Sequence, residues 1–547
     1  MRIALLQMRS IVGQIQWNCS KVKAALDRAQ KDKIDLVVTP ELALLGYPCD
    51  DLLSFQFTYE KEQSALKELQ AYTQKTGVAL LVGHTEKTES SWFYNCASLF
   101  ESGQCLGTIR KERLPSYNIF NEARQFIAFS GTQPLLSFRG KKLGISICED
   151  DWDEVNAYGS TYPRKYPCPG PAFKDERSQC DIHINLSASP FESSKAHTRE
   201  KAFEALATKM GKPFLWVNRV GAQDAAIFDG QSSVYDPKLC LQAKSFEEDF
   251  LVWDESLPAK KMAHNSSDWP QLTWSYLENA LCLGIRDFIH QSGSQKVLLG
   301  LSGGIDSSCV AALCAQALGP ENVTGVSLPS NITSELSKQL AKEHAKKLGI
   351  HFKEISIEKS IETLSKEAEL SPGTLAYENI QSRIRGVILM AESNSTGALV
   401  MACGNKSEYA TGYGTLYGDI AGALAPIGDL FKSEVYGLCH FMNRNEKVFA
   451  DELLARPPTA ELAHNQKDTD SLPHYAILDA FLYELLERQG HAFIDRDWST
   501  FLRNTTAPEL LKKVLGSEFK RFQAPPILRV SNWAFGKSWS MPIATKT

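Results

Sequence analysis

Short apolar runs alternate with longer amphipathic segments along the first half of the chain. A short apolar run predicts a buried strand, whereas apolar positions three and four apart predict a helix. This alternation is typical of an α/β fold. The predicted strands are 3–8, 36–39, 78–83, 96–100, 142–147, 182–186 and 214–218, and the predicted helices are 18–31 and 58–76.

The second half begins after a polar, proline-containing stretch at 254–270, which predicts a linker because periodicity is lost there. Strands and helices then alternate at lengths that predict a doubly wound, mostly parallel sheet, with ligands at the carboxyl ends of its strands. The predicted helices are 272–290, 308–318, 333–348 and 377–393, and the predicted strands are 296–301, 323–328, 352–357 and 398–403. We therefore divide the chain into domains 1–255 and 272–547, joined by linker 256–271.

Composition narrows the class of protein. The 547 residues carry a formal net charge of −5, which argues against broad electrostatic binding of nucleic acid. The first residues predict a strand and not a signal peptide, and no stretch reaches the roughly 20 apolar residues of a membrane span. The 13 cysteines include no C-x-x-C pair, which favours reduced thiols in a cytoplasmic protein. From the charge and the missing span, we expect neither nucleic-acid nor membrane partners.

A glycine- and serine-rich stretch follows the predicted strand 296–301 and opens a helix. Backbone N–H groups at such a helix start can bind a phosphate, and Asp306 could reach a Mg²⁺ ion on it. A plain strand-to-helix turn would explain the glycines alone. The full string Ser302-Gly-Gly-Ile-Asp-Ser307 is more specific, and it resembles the pyrophosphate loop of the ATP pyrophosphatase superfamily, whose members adenylate an acceptor oxygen.

Three polar residues stand at or near the ends of apolar runs in the first half: Glu41, Lys111 and Cys148. Singly, each has an ordinary explanation as a solvated acid, a surface ion pair or a small buried hydrophobe. Together they could supply a proton carrier, a cation for an oxyanion and a nucleophile, which is a set suited to acyl transfer from an amide.

The flanking residues strengthen this interpretation. Pro-Glu41-Leu, Arg-Lys111-x-x-Leu-Pro and Gly-Ile-Ser-Ile-Cys148-Glu-Asp resemble the nitrilase superfamily of carbon–nitrogen hydrolases. The resemblance implies an αββα sandwich in which Cys148 attacks the amide, Glu41 moves the proton and Lys111 stabilises the oxyanion. Glu122 in Asn-x-Phe-x-Glu-x-Arg would orient Lys111 or the substrate, although a structural ion pair with Arg124 is a nearly equal alternative.

The stretch after the predicted strand 182–186 reads Asn185-Leu-Ser-Ala-Ser-Pro190. In the glutaminase branch it resembles the segment that recognises the α-amino and α-carboxylate groups of glutamine. The resemblance implies that Tyr117, Ser189 and Lys195 bind glutamine, while simple turn formation would also explain the serines.

The second half carries further motifs in the order found in NAD synthetases: Glu378-Asn-x-Gln-x-Arg-x-Arg, Gly404-Asn-Lys-Ser-Glu, Tyr417-Gly-Asp, Arg456-Pro-Pro-Thr-Ala-Glu-Leu and Lys520-Arg-x-Gln-x-Pro-Pro. With the nitrilase-like half in front, the chain resembles the bacterial glutamine-dependent NAD synthetase family. Surface charges on a helix and a capping turn are the ordinary alternatives for the first two motifs.

The resemblance implies amidation of deamido-NAD to NAD through an adenylate, with ammonia released from glutamine. Lys406 would help to neutralise phosphate charge. Cys403 stands where the family usually has threonine, so only its backbone contact to ATP is expected. The implied ATP-binding residues are Gly300, Leu301, Ser302, Gly303, Gly304, Ile305, Asp306, Ser307 and Cys403, the implied Mg²⁺ ligands are Asp306 and Glu408, and the implied deamido-NAD contacts are Asn379, Glu408, Asp419 and Lys520.

Two alternatives stay open. A different glutamine-fed adenylating amidotransferase would act on an amino acid or a tRNA base, but the acidic net charge and the Glu378 motif disfavour it. A degenerate nitrilase-like module serving only for oligomerisation is disfavoured by the complete set of Glu41, Lys111 and Cys148. The family resemblance also implies a homo-oligomer.

Overall fold

The structure is a computed structural model that describes residues 1–152, 179–193, 195–257, 269–459, 461–463, 466, 468–487, 507–539 and 541–544. The chain divides into two compact units, Met1–Trp269 and Pro270–Thr547. None of the helices in these described ranges is long and apolar enough to span a membrane.

The described part of the first unit contains three α-helices and two large sheets. Its helices are α1 (Ile15–Lys31), α2 (Gln56–Thr76) and α3 (Lys195–Met210). Its strands are β1 (Arg2–Gln7), β2 (Leu36–Val38), β3 (Ala79–Lys87), β4 (Phe93–Glu101), β5 (Gln104–Arg110), β6 (Leu136–Phe138), β7 (Lys141–Ile147), β8 (Ile182–Ser187), β9 (Phe214–Asn218), β10 (Val220–Gln223), β11 (Ala226–Asp229), β12 (Ser233–Tyr235), β13 (Leu239–Gln242) and β14 (Asp249–Asp254).

The two six-stranded sheets have the strand orders β14-β1-β2-β3-β4-β5 and β13-β12-β9-β8-β7-β6. Successive strand residues point to opposite faces, and the cores follow that alternation. Ile3 and Leu5 pack in a core with residues of β7, β8 and β9. Ala4 packs with residues of α1 and α2. Because α3 packs on β9 through Phe203 and Phe214, the layers are α, β, β and α, and the expected sandwich is confirmed.

The second unit is built on a four-stranded sheet that is parallel throughout, in the order β17-β16-β15-β18. Its strands are β15 (Val297–Gly300), β16 (Val323–Ser327), β17 (His351–Glu354) and β18 (Leu399–Val400). The helices are α4 (Trp269–Gln291), α5 (Ile305–Leu318), α6 (Glu335–Leu348), α7 (Glu358–Glu367), α8 (Leu375–Thr396), α9 (Lys406–Thr411), α10 (Lys432–Met442), α11 (Asp451–Ala455), α12 (Tyr475–Leu486), α13 (Ala507–Gly516) and α14 (Glu518–Arg521).

From β15, the strands β16 and β17 lie on one side and β18 lies on the other. The carboxyl end of β15 is therefore a topological switch point, where doubly wound sheets bind ligands. The predicted strand 398–403 was too long. The strand ends at Val400, and the N–H of Met401 makes a last bond to the carbonyl of Leu298 on β15 (2.8 Å). The chain then leaves β15, because the N–H of Ala402 donates to the carbonyl of Leu424 (2.9 Å) instead. The helix predicted from 308 begins at Ile305, which places Asp306 in its first turn. The helix predicted from 272 begins at Trp269, inside the predicted linker.

Candidate active sites

Cys148 lies on a single 3₁₀ turn, Cys148–Asp151, at the carboxyl end of β7. Its φ of 46° is in the left-handed region, which costs a residue with a side chain roughly 1–2 kcal/mol. The carboxylate of Asp150 accepts the N–H groups of Glu112 (3.0 Å) and Arg113 (2.8 Å), immediately after Lys111. The strained turn and the lysine segment are therefore held together by one buried acid.

Lys111 is fully buried between two carboxylates. Its Nζ donates to Glu41 Oε1 (2.7 Å) and to both oxygens of Glu122 (2.8 Å each). Burial alone would lower the pKa of Lys111, but Glu122 and Glu41 outweigh it and raise that pKa well above its usual value. Glu41 also accepts Asn95 Nδ2 (2.7 Å) and the N–H of Ala188 (3.0 Å), so its carboxylate has one fixed orientation.

Glu122 orients Lys111, as one of the two sequence interpretations expected. Its Oε1 also accepts the hydroxyl of Tyr47 (2.8 Å), and burial raises its pKa to about 7. The alternative ion pair with Arg124 is wrong, because Arg124 donates to Asp51 at 2.8 and 2.6 Å in a pair that is exposed on both sides.

The thiol of Cys148 lies within electrostatic range of Glu41, Lys111 and Glu122. Burial, followed by the charge of Glu41, raises the pKa of the thiol well above its usual value. The thiol is therefore protonated near neutral pH and needs a base to become a nucleophile. Glu41, fixed beside Lys111, is the carboxylate with the largest electrostatic effect on this thiol.

Glu122→Gln should lower glutamine hydrolysis about 100-fold, because Lys111 would keep only one carboxylate to set the position of its ammonium group. Initial rates of glutamate release would measure the effect. Arg124→Ala is the matched control, since it removes a charge only two residues away whose partner is on the surface. Equal activity of the two variants would contradict a role for Glu122 in orienting Lys111.

The candidate glutamine contacts lie around this turn. The hydroxyl of Tyr117 donates to Glu149 (3.0 and 3.1 Å), the residue after Cys148. Ser189 is buried. It directly follows Ala188, whose N–H donates to Glu41. Lys195 Nζ lies 5.7 Å from the ring centroid of Trp152, which follows the turn. Sequence reasoning missed Glu149 and Asn95, and only their positions beside Cys148 and in Tyr-Asn-Cys on β4 could have indicated them.

In the second unit, the loop between β15 and α5 is held in shape by its own serines. The hydroxyl of Ser302 accepts the N–H of Gly304 (3.2 Å), and the hydroxyl of Ser307 donates to the carbonyl of Gly304 (3.2 Å). Gly303 has a φ of 80°, and a Cβ there would lie 2.3 Å from the carbonyl oxygen of Ser337 on α6. Only glycine fits this close approach.

A cavity of about 560 Å³ opens beside this loop, at the carboxyl ends of β15, β16 and β18. This volume lies in the range of small-molecule sites, about 300–1,000 Å³. Two of the sequence-predicted residues in this unit, Gly303 and Lys406, are absent from the lining, and Gly303 packs closely against α6 instead. The lining includes Gly300, Leu301, Ser302, Gly304, Ile305, Asp306, Ser307, Asn379, Cys403, Glu408, Asp419 and Lys520.

Asp306 and Glu408 lie on either side of a cation that sequence reasoning missed. Lys432 Nζ is in ion-pairing contact with Asp306 and lies 3.5 Å from Glu408 Oε1. Burial and the nearby charge of Asp306 raise the pKa of Glu408 to about 8. In the part of the chain that the structure describes, no group of three or more His, Cys, Asp or Glu side chains could hold a metal alone. Two carboxylates at a phosphate loop fit Mg²⁺, which takes its remaining ligands from phosphates and water.

Lys406 does not face the cavity, so the expectation that it neutralises phosphate charge is wrong. Its fully buried Nζ lies 2.9 Å from Asp429, donates to Ser531 (2.8 Å) and pairs with Glu487. Lys406 opens α9, whose cap is Asn405, and its side chain turns towards α12 and the segment around Ser531. Lys432, at the start of α10, occupies the cationic position instead.

The four predicted deamido-NAD contacts meet around the loop 412–419. The hydroxyl of Thr415 donates to Asn379 (2.9 Å) and its N–H donates to Asp419 (2.8 Å). Lys520 Nζ donates to the carbonyls of Gly412 and Gly414 (2.8 Å each). Glu408 lies on the same side of the cavity and completes a capping box with Asn405. The structure thus brings these four residues together.

Comparison with known proteins accounts for both units. Residues 2–158 match the carbon-nitrogen hydrolase family and residues 277–524 match the NAD synthase family. A glutamine-dependent NAD(+) synthetase of Synechocystis is 37% identical over 99% of this chain and 98% of its own length. The corresponding protein of Xanthomonas campestris is 36% identical over 99% and 97%.

Solved structures agree with these relatives. The glutamine-dependent NAD+ synthetase of Acinetobacter baumannii, in complex with ADP, is 30% identical over 99% of this chain and 98% of its own, with a TM-score of 0.74. The enzyme of Cytophaga hutchinsonii shares the fold with a TM-score of 0.80 at 19% identity, covering 100% and 98%. The chain belongs to the glutamine-dependent NAD(+) synthetase family.

Proposed function

We propose that this ligase amidates deamido-NAD to NAD at the expense of ATP, using ammonia that it releases from glutamine. The observation that carries the proposal is that each of the two units contains a site with the residues needed for one of the two reactions. One site is the buried set around Lys111, and the other is the cavity at the phosphate loop. The chain also has full-length relatives in this family. We assign glutamine hydrolysis to residues 1–255, the link to 256–271 and amide synthesis to 272–547.

In the first domain, Cys148 would lose its proton to Glu41 and attack the side-chain amide carbon of glutamine. The tetrahedral oxyanion forms beside Lys111, whose ammonium group is already fixed by Glu41 and Glu122 and needs no rearrangement. Glu41 returns the proton to the leaving ammonia and then activates the water that hydrolyses the thioester. Tyr117, Ser189 and Lys195 would hold the backbone end of glutamine, with Glu149 as the partner for its ammonium group.

In the second domain, ATP would bind with its phosphates at the loop of residues 300–307 and beside Cys403. The nicotinate carboxylate of deamido-NAD attacks the α-phosphorus and pyrophosphate leaves, after which ammonia displaces AMP from the adenylate. Lys432 would neutralise phosphate charge from its position between Asp306 and Glu408. Bound Mg²⁺, held by Asp306 and Glu408, would supply further charge neutralisation on the phosphates.

Asn379, Glu408, Asp419 and Lys520 would hold deamido-NAD, because all four line the same cavity as the phosphate loop. A relative solved in complex with ADP supports the binding of an adenine nucleotide. We further propose a cytoplasmic enzyme, since the cysteines in the described residues are free thiols. Self-association into a homo-oligomer is supported by the exposed apolar side chains of Val387 and Met390 on α8.

The proposal is tested by assaying NAD formation with deamido-NAD and Mg-ATP, supplied with either glutamine or ammonium chloride. We expect NAD, AMP and pyrophosphate in equal amounts with both donors, and glutamate with glutamine only. No NAD from either donor, together with AMP release when amino acids or a tRNA are offered, would reject deamido-NAD as the acceptor. That result would favour the alternative of a glutamine-fed adenylating amidotransferase with a different acceptor.

A further inference from the structure

A buried polar cluster lies directly beneath the turn of Cys148, and the proposed steps leave it unused. It consists of Ser146 on β7, Asp151 at the end of the turn, and His183 and Asn185 on β8. Asp151 Oδ2 accepts from His183 Nε2 (2.9 Å), from Asn185 Nδ2 (2.9 Å) and from the hydroxyl of Ser146. Ser146 and His183 are fully buried, so the serine, histidine and aspartate cannot act on a substrate themselves.

The orientation of the Asn185 amide is fixed from the opposite side. The indole N–H of Trp216 donates to the hydroxyl of Ser187 (2.9 Å), and that hydroxyl donates to Asn185 Oδ1 (2.7 Å). An indole N–H can only donate, so the proton of the Ser187 hydroxyl is available for Asn185. The NH₂ end of Asn185 must therefore face Asp151 and the turn.

Asn185 connects this cluster to the proposed nucleophile. Its Nδ2 lies 3.3 Å from the carbonyl oxygen of Cys148 and 3.0 Å from the hydroxyl of Ser146. The same amide thus contacts the first residue of the 3₁₀ turn through a carbonyl and the last through the carboxylate of Asp151. A turn whose first residue has a φ of 46° would otherwise relax towards commoner backbone angles.

We infer that Asp151, His183 and Asn185 are positioning residues for glutamine hydrolysis, which fasten both ends of the Cys148 turn and keep the thiol directed at Glu41 and Lys111. The ion pair with His183 fixes the Asp151 carboxylate, which accepts a hydrogen bond from the Asn185 amide. The same amide contacts the carbonyl of Cys148 and so restrains that residue. The inference rests on the proposed role of Cys148 and deepens it by naming what holds the nucleophile in place.

The charges of the pair support this arrangement. Burial by itself lowers the pKa of His183, but the carboxylate of Asp151 raises it to about 9. Burial would raise the pKa of Asp151, but His183 and the hydrogen bonds of Ser146 and Asn185 lower it. The other titratable group that faces His183 is the thiol of Cys180, and the ring of Phe214 on β9 stacks on the imidazole at 5.6 Å. The carboxylate of Asp151 is thus the countercharge of the protonated His183 ring.

Asp151→Asn in the full-length enzyme tests the inference. We expect the kcat of glutamine hydrolysis to fall about 30- to 100-fold, because misplacing a reacting atom by about 1 Å costs that much. KM for glutamine should change less than about threefold, since no glutamine contact is removed. Alkylation of Cys148 by iodoacetamide, followed by peptide mass spectrometry, should slow in parallel. Ammonium-dependent NAD formation should stay within about twofold of wild type, because its residues lie in the other unit.

Asp229→Asn is the matched control. Asp229 pairs with Arg199 (2.6 Å) in the same unit, and both side chains are buried, but neither has a hydrogen bond to the Cys148 turn. Asp229→Asn should lower the stability of the protein but leave the kcat of glutamine hydrolysis and the rate of Cys148 alkylation unchanged. If Asp151→Asn does not fold, the double variant Asp151→Leu/His183→Leu replaces the buried pair by apolar side chains, which proteins often tolerate. A normal kcat in either folded variant would overturn the inference.

The pH profile separates positioning from general destabilisation. A histidine whose pKa is raised in the folded state contributes stability that is complete below its ordinary pKa of 6.5 and is lost as the pH rises through about 9. Deprotonation of His183 also removes the charge that pairs with Asp151 and so loosens the Cys148 turn. The kcat of wild-type hydrolysis should therefore fall reversibly near pH 9, and the double variant should lack this fall. If Cys148→Ala still hydrolyses glutamine, the proposed function fails; if Cys148→Ala is inactive but Asp151→Asn is normal, only this inference fails.

Discussion

Cys148→Ala is expected to abolish glutamine-dependent NAD formation, by roughly four orders of magnitude or more, while ammonium-dependent formation stays within about twofold of wild type. The alanine has no thiol and cannot form the thioester. Paired assays with the two nitrogen donors measure this, with glutamate release as a direct readout of hydrolysis.

Cys19→Ala is the matched control, because Cys19 is an equally buried thiol of the same unit that lies on α1. It should leave both activities unchanged. Loss of both activities in Cys148→Ala would indicate a folding defect, and retained glutamine use would mean that another residue releases the ammonia. The latter outcome would revive the interpretation of the first half as an oligomerisation module.

The second large effect is expected from Lys432→Met, which should lower NAD formation about 1,000-fold or more with either nitrogen donor. Without the lysine, Asp306 and Glu408 would lose the ammonium group that lies between them, and the phosphates would lose its positive charge. Loss of one preorganised charge at a reacting phosphate is worth about 4 kcal/mol, which corresponds to that factor. Glutamine hydrolysis measured without ATP should remain, and its loss would contradict a role confined to the nucleotide site.

Lys406→Met gives the contrast. Lys406 is equally buried and also opens a helix, but its partners are Asp429 and Glu487. Removing one partner of a buried ion network should destabilise the protein by about 3 to 5 kcal/mol. The thermal unfolding midpoint should therefore fall in Lys406→Met, whereas KM for ATP of the folded fraction should not. A changed KM for ATP with a normal midpoint would reverse the roles assigned to the two lysines.

Sequence reasoning predicted the sandwich and the parallel sheet because buried strands and amphipathic helices have different periods, and both halves keep those periods clearly. It did not predict β5, whose first three residues are exposed, so the strand lacks an apolar run. The predicted strand at 398–403 was apolar throughout, but apolarity does not reveal that Ala402 bonds to Leu424 and leaves the sheet.

The sites show a similar limit. Motifs indicated Glu41, Lys111 and Cys148 because each follows an apolar run with characteristic neighbours. Asn95 and Lys432 could not be found this way, because their partners are far away in the sequence: Asp306 precedes Lys432 by 126 positions. For Lys406 the motif was right, but the direction of its side chain depends on where Asp429 and Glu487 pack, which the local sequence does not determine.

The charge balance around Lys111 has a consequence for product release. In the proposed reaction, glutamine brings a neutral amide to a site where the acids Glu41 and Glu122 already share one buried ammonium group, that of Lys111. Hydrolysis converts that amide into a third carboxylate. Buried like charges repel strongly, and a single lysine cannot compensate for three of them. We therefore expect the proposed hydrolysis site to bind glutamate more weakly than glutamine, so that added glutamate inhibits the reaction only weakly.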